Sequence, residues 1–384
     1  MRRKWVGNSF SLGILKTVAG VAMMRKHQLY FTFAILISIL ILQMPRVTHA
    51  QSPTITSGLT WLNSVQAPNG SWGIDVVATG SVQATSAAME SLAVLNNTAS
   101  PNYANAANWL TAQQIDTTRY LSARLLIFPT STADKDTILL YLDQLSHVWG
   151  GYSSFTVNNL DTALALQALK ATNYSDATVL YQAINFLITN QNSDGGWGFR
   201  PTTSAIAGDA SNAYVTAMVL KALSNFSSTF NVQSSIDKAK AYLLTKQNTD
   251  GGFGSSPSTI YETALSVISL VESGQGSTLP LQNAINYLTS TQASNGSWND
   301  DPYSTALALQ ALAKVKPNLA LSSSDITFSQ FTPTQGQSVT ITATVHNSGL
   351  APAENVLVQM FDGDPAVASH CNAAVAKGDI GSRI

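Results

Sequence analysis

Apolar residues recur along most of this chain in two alternating helical patterns. In Ala183-Ile184-Asn185-Phe186-Leu187-Ile188-Thr189-Asn190 one stripe is apolar, and Asn185, Thr189 and Asn190 are left for solvent. In Thr162-Ala163-Leu164-Ala165-Leu166-Gln167-Ala168-Leu169 and Thr305-Ala306-Leu307-Ala308-Leu309-Gln310-Ala311-Leu312, apolar residues almost surround the helix. The first pattern predicts an outer helix with a wet face, the second an inner helix covered on all sides. Between them lie turns rich in Asn, Asp and Gly, which supply the φ > 0 residue that stops a helix.

The alternation is an internal repeat of roughly 45 residues, a period that marks stacked helical pairs. Each copy ends its outer helix in Gln, turns on Gly, places an aromatic residue and opens the inner helix with Thr-Ala. Clear copies carry Gln66, Gly70 and Trp72; Gln191, Gly195 and Trp197; Gln247, Gly251 and Phe253; Gln292, Gly296 and Trp298. Two are degenerate: Trp109-Leu110 with Gln113 lacks the Gly-aromatic turn, and Tyr141-Leu142 keeps Trp149-Gly150-Gly151-Tyr152 without the Gln. One helix pair cannot bury its own apolar face, so six pairs stack into an open solenoid or close into a ring.

The Gln-x(3-5)-Gly-x-Trp/Phe signature, with its order and spacing kept in several copies, resembles the repeat of the terpenoid cyclase and protein prenyltransferase superfamily. The resemblance covers residues 55–316 and implies an all-α ring of six concentric hairpins, an α/α toroid with a cavity opening at one end. The Gln and aromatic residues then read as a clasp between repeats.

Aligning the inner helices sets Thr85, Ser122, Thr162, Thr216, Thr263 and Thr305 in one layer, expected to satisfy free N–H groups at helix starts. Two positions earlier stand Gln83, Tyr120, Leu160, Tyr214, Tyr261 and Tyr303, and between the layers Asp161 and Glu262 bring two acids. Tyr120, Asp161, Tyr214, Tyr261, Glu262 and Tyr303 are therefore the expected ligand-binding rim. Tyr and carboxylate suit a neutral small molecule, a glycan or a peptide.

The superfamily's chemistries are poorly matched. Cyclases of the squalene-hopene kind protonate a polyene from Asp-x-Asp-Asp-Thr-Ala, whereas Asn158-Asn159-Leu160-Asp161-Thr162-Ala163 puts Leu160 where the acid belongs. Protein prenyltransferases hold zinc with Asp, Cys and His; Asp301-Pro302-Tyr303-Ser304 keeps only the Asp, and the ring has no Cys and one His, His147. The Cys-Gly-Glu-Gln motif of thioester-bearing relatives is missing. The expectation is a binding or scaffolding body with no metal or cofactor. The alternative is an enzyme, an atypical terpenoid cyclase or a glycan-cleaving α/α barrel, with Asp161, Glu262 and Asp301 as candidate catalytic acids. Asp194-Gly195-Gly196 and Asp250-Gly251-Gly252 lack the ligand series of a calcium loop and read as turns.

Charge and the chain ends add location. The first fifty residues hold seven of the 20 Lys and Arg and none of the 21 Asp and Glu. Arg25-Lys26-His27, an apolar run from Leu29 to Leu42 and Val47-Thr48-His49-Ala50 read as a signal peptide over residues 1–50, or else as an uncleaved anchor. The remaining 13 basic and 21 acidic side chains make nucleic acid and anionic lipid poor partners. The expected location is secreted or on a bacterial cell surface, with any membrane attachment through that anchor or through a part beyond the C-terminus. Cys371 is the single cysteine, so disulfides do not hold the fold.

After Lys316-Pro317 the pattern changes to period two, at 325–328, 339–345 and 356–361. Val345-His346-Asn347-Ser348-Gly349 and Phe361-Asp362-Gly363-Asp364-Pro365 are similar to the adhesion-related domain called CARDB. The resemblance implies an immunoglobulin-like β-sandwich over 318–384, truncated because such a domain needs about 100 residues.

Overall fold

The structure, a computed structural model, describes residues 4–6, 9–17, 52–73, 78–202, 207–315, 319–329, 338–347, 349, 353–360 and 374–380. The chain divides into two units, residues 53–315 and the flanking stretches 1–52 with 316–384.

Helices build the first unit as the periodicity predicts. The outer ones are α1 (Pro53–Ser64), α3 (Pro101–Thr111), α5 (Thr132–Leu140), α7 (Ala177–Thr189), α9 (Gln233–Thr245) and α11 (Leu279–Ser290). The inner ones are α2 (Ala78–Val94), α4 (Thr118–Ile127), α6 (Asn159–Ala171), α8 (Ala213–Ser224), α10 (Ile260–Glu272) and α12 (Pro302–Lys314). Each inner helix packs on the next inner helix, and α12 packs back on α2, so the solenoid alternative is excluded and the ring is closed. Outer helices pack on the inner helix that precedes them; α1, which has no predecessor, packs on α12 and completes the last pair.

The turn chemistry explains the spacing. In four repeats the Gln amide donates twice: Gln66 Nε2 to Gly70 O at 2.9 Å and Asn102 O at 2.8 Å, Gln191 to Gly195 and Ser235, Gln247 to Gly251 and Pro280, Gln292 to Gly296 and Thr54. One bond closes its own turn and the other grips the next outer helix. Gly195 needs to be glycine because its φ is +89° and a Cβ would lie 2.6 Å from the Lys238 carbonyl oxygen on that next helix. The aromatic residue is fully buried, and the indole N–H of Trp72, Trp197 and Trp298 donates to Leu62, Leu187 and Leu288 O of its own outer helix, each at 2.7 Å.

The hydroxyl layer also differs from expectation. Thr85, Thr162, Thr216 and Thr305 accept the backbone N–H of the turn tryptophan, and Thr263 accepts that of Phe253. They satisfy a free N–H, but one in the turn rather than at the helix start. Helix starts are capped further upstream, by Thr117, Asn158, Asn212, Thr259 and Asp301.

The degenerate repeats solve the same problem with other atoms. Where the turn tryptophan is missing, Arg124 reaches the carbonyls of Leu110 and Gln113 at 3.4 and 2.6 Å and pairs with buried Asp134 through two bonds of 2.9 and 2.6 Å. Ser122, left without a turn aromatic, has a buried hydroxyl with no partner. In the third repeat α5 ends at Leu140 and Trp149 bonds Ile138 O at 2.8 Å, so Tyr141-Leu142 lies past the helix rather than in it.

The second unit holds an antiparallel sheet in which β5 (Ser338–Asn347) is central. β1 (Lys4–Val6) pairs with β2 (Ser9–Thr17), β2 pairs with β5, and β3 (Leu319–Ala320) and β4 (Ile326–Phe328) also pair with β5. A separate pair joins β6 (Ala353–Met360) to β7 (Ala374–Ile380). The period-two stretches are strands, but the described residues do not show the immunoglobulin-like sandwich. Within residues 1–50, Phe10, Leu12 and Ile14 of β2 stand opposite Val345, Ala343 and Ile341 in the strand register. The apolar run 29–42, Ala50, the 361–365 motif and Cys371 lie outside the described residues.

Candidate functional site

Every inner helix shows one stripe to the hollow of the ring, because residues at i, i+4 and i+7 share a face. The stripes Gln83-Ala87-Glu90 on α2, Tyr214-Met218-Lys221 on α8 and Tyr303-Leu307-Gln310 on α12 line one chamber of about 90 Å³. Arg119 and Tyr120 on α4 complete its upper wall, and Leu164 and Leu265 its sides. A second chamber of about 200 Å³ shares Glu90, Lys221 and Gln310 and continues toward the C-terminal ends of the helices, where Tyr103 and Lys314 join.

Tyr120, Tyr214 and Tyr303 thus come together at the upper chamber. Tyr261 is exposed and packs edge-on against Tyr214, with ring centroids 6.2 Å apart. Burial pushes the Tyr214 and Tyr303 phenols well up, against the pull of the Arg119 charge, so both remain neutral donors.

The three acids are placed elsewhere, at the helix starts. Asp161 is 3% exposed and accepts 2.6 Å from the Asn158 amide, while Asn158 Oδ1 accepts the Asp161 N–H at 2.8 Å. Burial raises its carboxyl above the usual range, opposed by the Asn158 bond and by Arg119. Glu262 accepts from the Thr259 hydroxyl at 2.8 Å. Asp301 caps α12, accepting from the N–H groups of Tyr303 and Ser304 at 3.3 and 2.8 Å. None of the three lines either chamber. One residue after a lumen-facing position, a side chain turns about 100° along the helix and enters the seam between neighbours.

Glu90, Lys221 and Arg119 were not among the candidates, although the pattern contains them. Seven residues on from Gln83, Tyr214 and Tyr303 stand Glu90, Lys221 and Gln310. Burial raises the Glu90 carboxyl; Lys221 and Lys314 pull it down and Glu272 pushes it up. No cluster of His, Cys, Asp and Glu suited to a metal occurs among the described residues, and Asp194 and Asp250 accept from Gly196 and Gly252 N–H within their turns.

Comparison with known proteins agrees with this ring. The family model described as squalene-hopene cyclase C-terminal domain matches residues 208–310, and that described as prenyltransferase alpha-alpha toroid domain matches residues 9–122. The ring is a cyclase-like toroid. Squalene–hopene cyclase of Zymomonas mobilis subsp. mobilis is 30% identical to this chain over 136 residues, 32% of this chain and 20% of that one. The chain thus spans about a fifth of the length of this curated relative. Among solved structures, a protein from Actinoplanes has a TM-score of 0.53 at 13% identity, covering 68% of this chain and 98% of that one. A possible member of the GH105 family from Salmonella enterica subsp. enterica serovar Paratyphi A has a TM-score of 0.51 at 12% identity, covering 71% and 96%. At these identities the cyclase-like toroid shares their fold, and fold alone hosts unrelated chemistries.

Proposed function

We propose that the protein is an exported, surface-associated binding body, whose cyclase-like toroid receives a small ligand and does not cyclise a polyprenoid. The observation that carries this reading is the bonding of Asp161 and Glu262 to the cap residues Asn158 and Thr259, and of Asp301 as the cap of α12, which takes the three expected acids away from the hollow. Size supports it. An apolar cavity of about 150 Å³ admits benzene, and the chamber beneath the tyrosines offers about 90 Å³. The basic and apolar segment from Arg25 to Leu42 supports export, and the adhesion-like C-terminal stretch supports a surface location.

The test incubates the full chain with squalene, shorter polyprenoids, small organic acids and glycans, and reads products by gas chromatography and binding by native mass spectrometry. The expected result is no cyclic product and saturable binding of a small ligand, with Met218→Trp, which fills the upper chamber, shifting preference to shorter ligands. A cyclic product lost on mutation of any lumen residue would overturn the reading.

A further inference from the structure

The level at which the two chambers meet is unlike the rest of the lumen. Glu90, Lys221 and Gln310 face both chambers. Lys314 is neutralised by Glu272 at 2.6 Å, and the Gln310 amide donates to Ala87 O at 2.9 Å. Lys221 and Glu90, in contrast, make no direct ion pair or side-chain hydrogen bond among the described residues, although each feels the other's charge. An ammonium held between helices with its opposite charge, Glu90, out of direct contact is costly, and a ligand anion in contact with it lowers that cost. Above it the walls are apolar, with Leu126, Leu164, Met218, Leu265 and Leu307. A second sign of missing ligand atoms lies in the same wall: Ser86, 2% exposed, has a hydroxyl with no partner among the described residues, and it can donate to a ligand anion.

We propose that the ring binds a short-chain monocarboxylate, its anionic head against Lys221 and Glu90 at the junction of the chambers and its apolar tail beneath the tyrosines. The inference rests on reading the ring as a binding body. A chamber of about 90 Å³ that also holds the junction has room for a short tail only.

Glu90 sets the pH response. Its carboxyl is raised by burial and by Glu272, and lowered by Lys221 and Lys314. Around the chambers, burial keeps the Tyr103, Tyr214 and Tyr303 phenols neutral, and Arg119 faces the upper one. Protonated Glu90 donates a hydrogen bond to the bound carboxylate, whereas ionised Glu90 repels it. Affinity therefore rises as pH falls through the Glu90 range, as long as the ligand stays ionised. A zwitterion bridging Glu90 and Lys221 would need Glu90 ionised and would show the opposite slope.

The probe is [1-13C]pentanoate, titrated into the full chain from pH 5.5 to 8 and followed by calorimetry and by its carboxyl 13C shift. Expected are saturable binding that tightens at lower pH, a loss of at least tenfold in Lys221→Met, and a flattened pH profile in Glu90→Gln. In Met218→Trp the preference moves from pentanoate to acetate, a change that a merely structural role of Met218 would not produce. If Lys221→Met does not fold, the slope with pH and the chain-length shift decide. Equal affinity for pentan-1-ol, equal affinity for inorganic phosphate, tighter binding of 5-aminopentanoate, or no saturation by pentanoate each overturns the proposal. When pentanoate fails while another small ligand binds in a Met218→Trp-sensitive way, the carboxylate site falls and the binding body stands; when nothing binds, both fall.

Discussion

Asp161 shows how one side chain changes meaning between sequence and structure. In the motif Asn158-Asn159-Leu160-Asp161-Thr162-Ala163 it reads as a remnant of an acid, and in the fold it is half of a reciprocal cap with Asn158. Because burial raises its carboxyl, the folded state takes up a proton more readily than the unfolded chain at this position. The sign follows: the charged form costs stability at neutral pH, and the cost fades as pH falls through the raised pKa. Asp161→Asn, which keeps an acceptor for the Asn158 amide, should unfold at a higher temperature than the parent at pH 7, with the gap closing toward pH 4 in thermal melts followed by circular dichroism. A gap that widens on acidification would show that Asp161 is held by a favourable charge interaction instead.

At the scale of the helical hairpin, the recurring unit is a turn locked from three sides. Gln grips the turn carbonyl, the indole grips the outer helix, and the inner-helix hydroxyl grips the aromatic's own N–H. Thr216→Val removes the last of these, leaves the buried Trp197 N–H unpaired, and should cost about 1–3 kcal/mol in chemical denaturation. Ser122→Ala, at the aligned position of a repeat with no turn aromatic, should cost nothing or stabilise, because its buried hydroxyl already lacks a partner. Equal losses in both variants would mean that the layer works through helix propensity or packing. The hairpins and their Gln-Gly-aromatic turns are legible in sequence because they are local, lying four to about twenty residues apart. The Arg124–Asp134 substitute is not, since nothing in the residue pattern says that a guanidinium takes over the carbonyl of a missing indole.

For the whole ring, closure is the property that matters most. Gln292 reaches Thr54 across 238 residues, against 36 for the equivalent Gln66 to Asn102 bond. By the logarithmic dependence of loop entropy that difference costs only about 1.7 kcal/mol. Burying one large side chain at the seam, as Leu62 and Trp298 are buried completely, contributes about 1.5–3 kcal/mol, so burial wins and the ring shuts. Gln292→Ala should therefore loosen α1 in particular: amide exchange over Pro53–Ser64 should speed up while α7 and α9 keep their protection. Uniform acceleration around the ring would show that the seam is not a separate opening unit.

Helix periodicity and turn chemistry, being local, determined the two helical layers, the six-fold repeat, the clasp and the strands after Lys316. The same alignment continued by four and seven residues also contained the lumen stripes, including Glu90 and Lys221. What only the tertiary structure decided was direction: which residues of each first turn look into the hollow and which are drawn into the seams between helices. A step of one residue rotates a side chain by about 100°, so Tyr214 and Tyr303 meet at the chamber while Asp161 and Glu262 turn away to the cap residues Asn158 and Thr259.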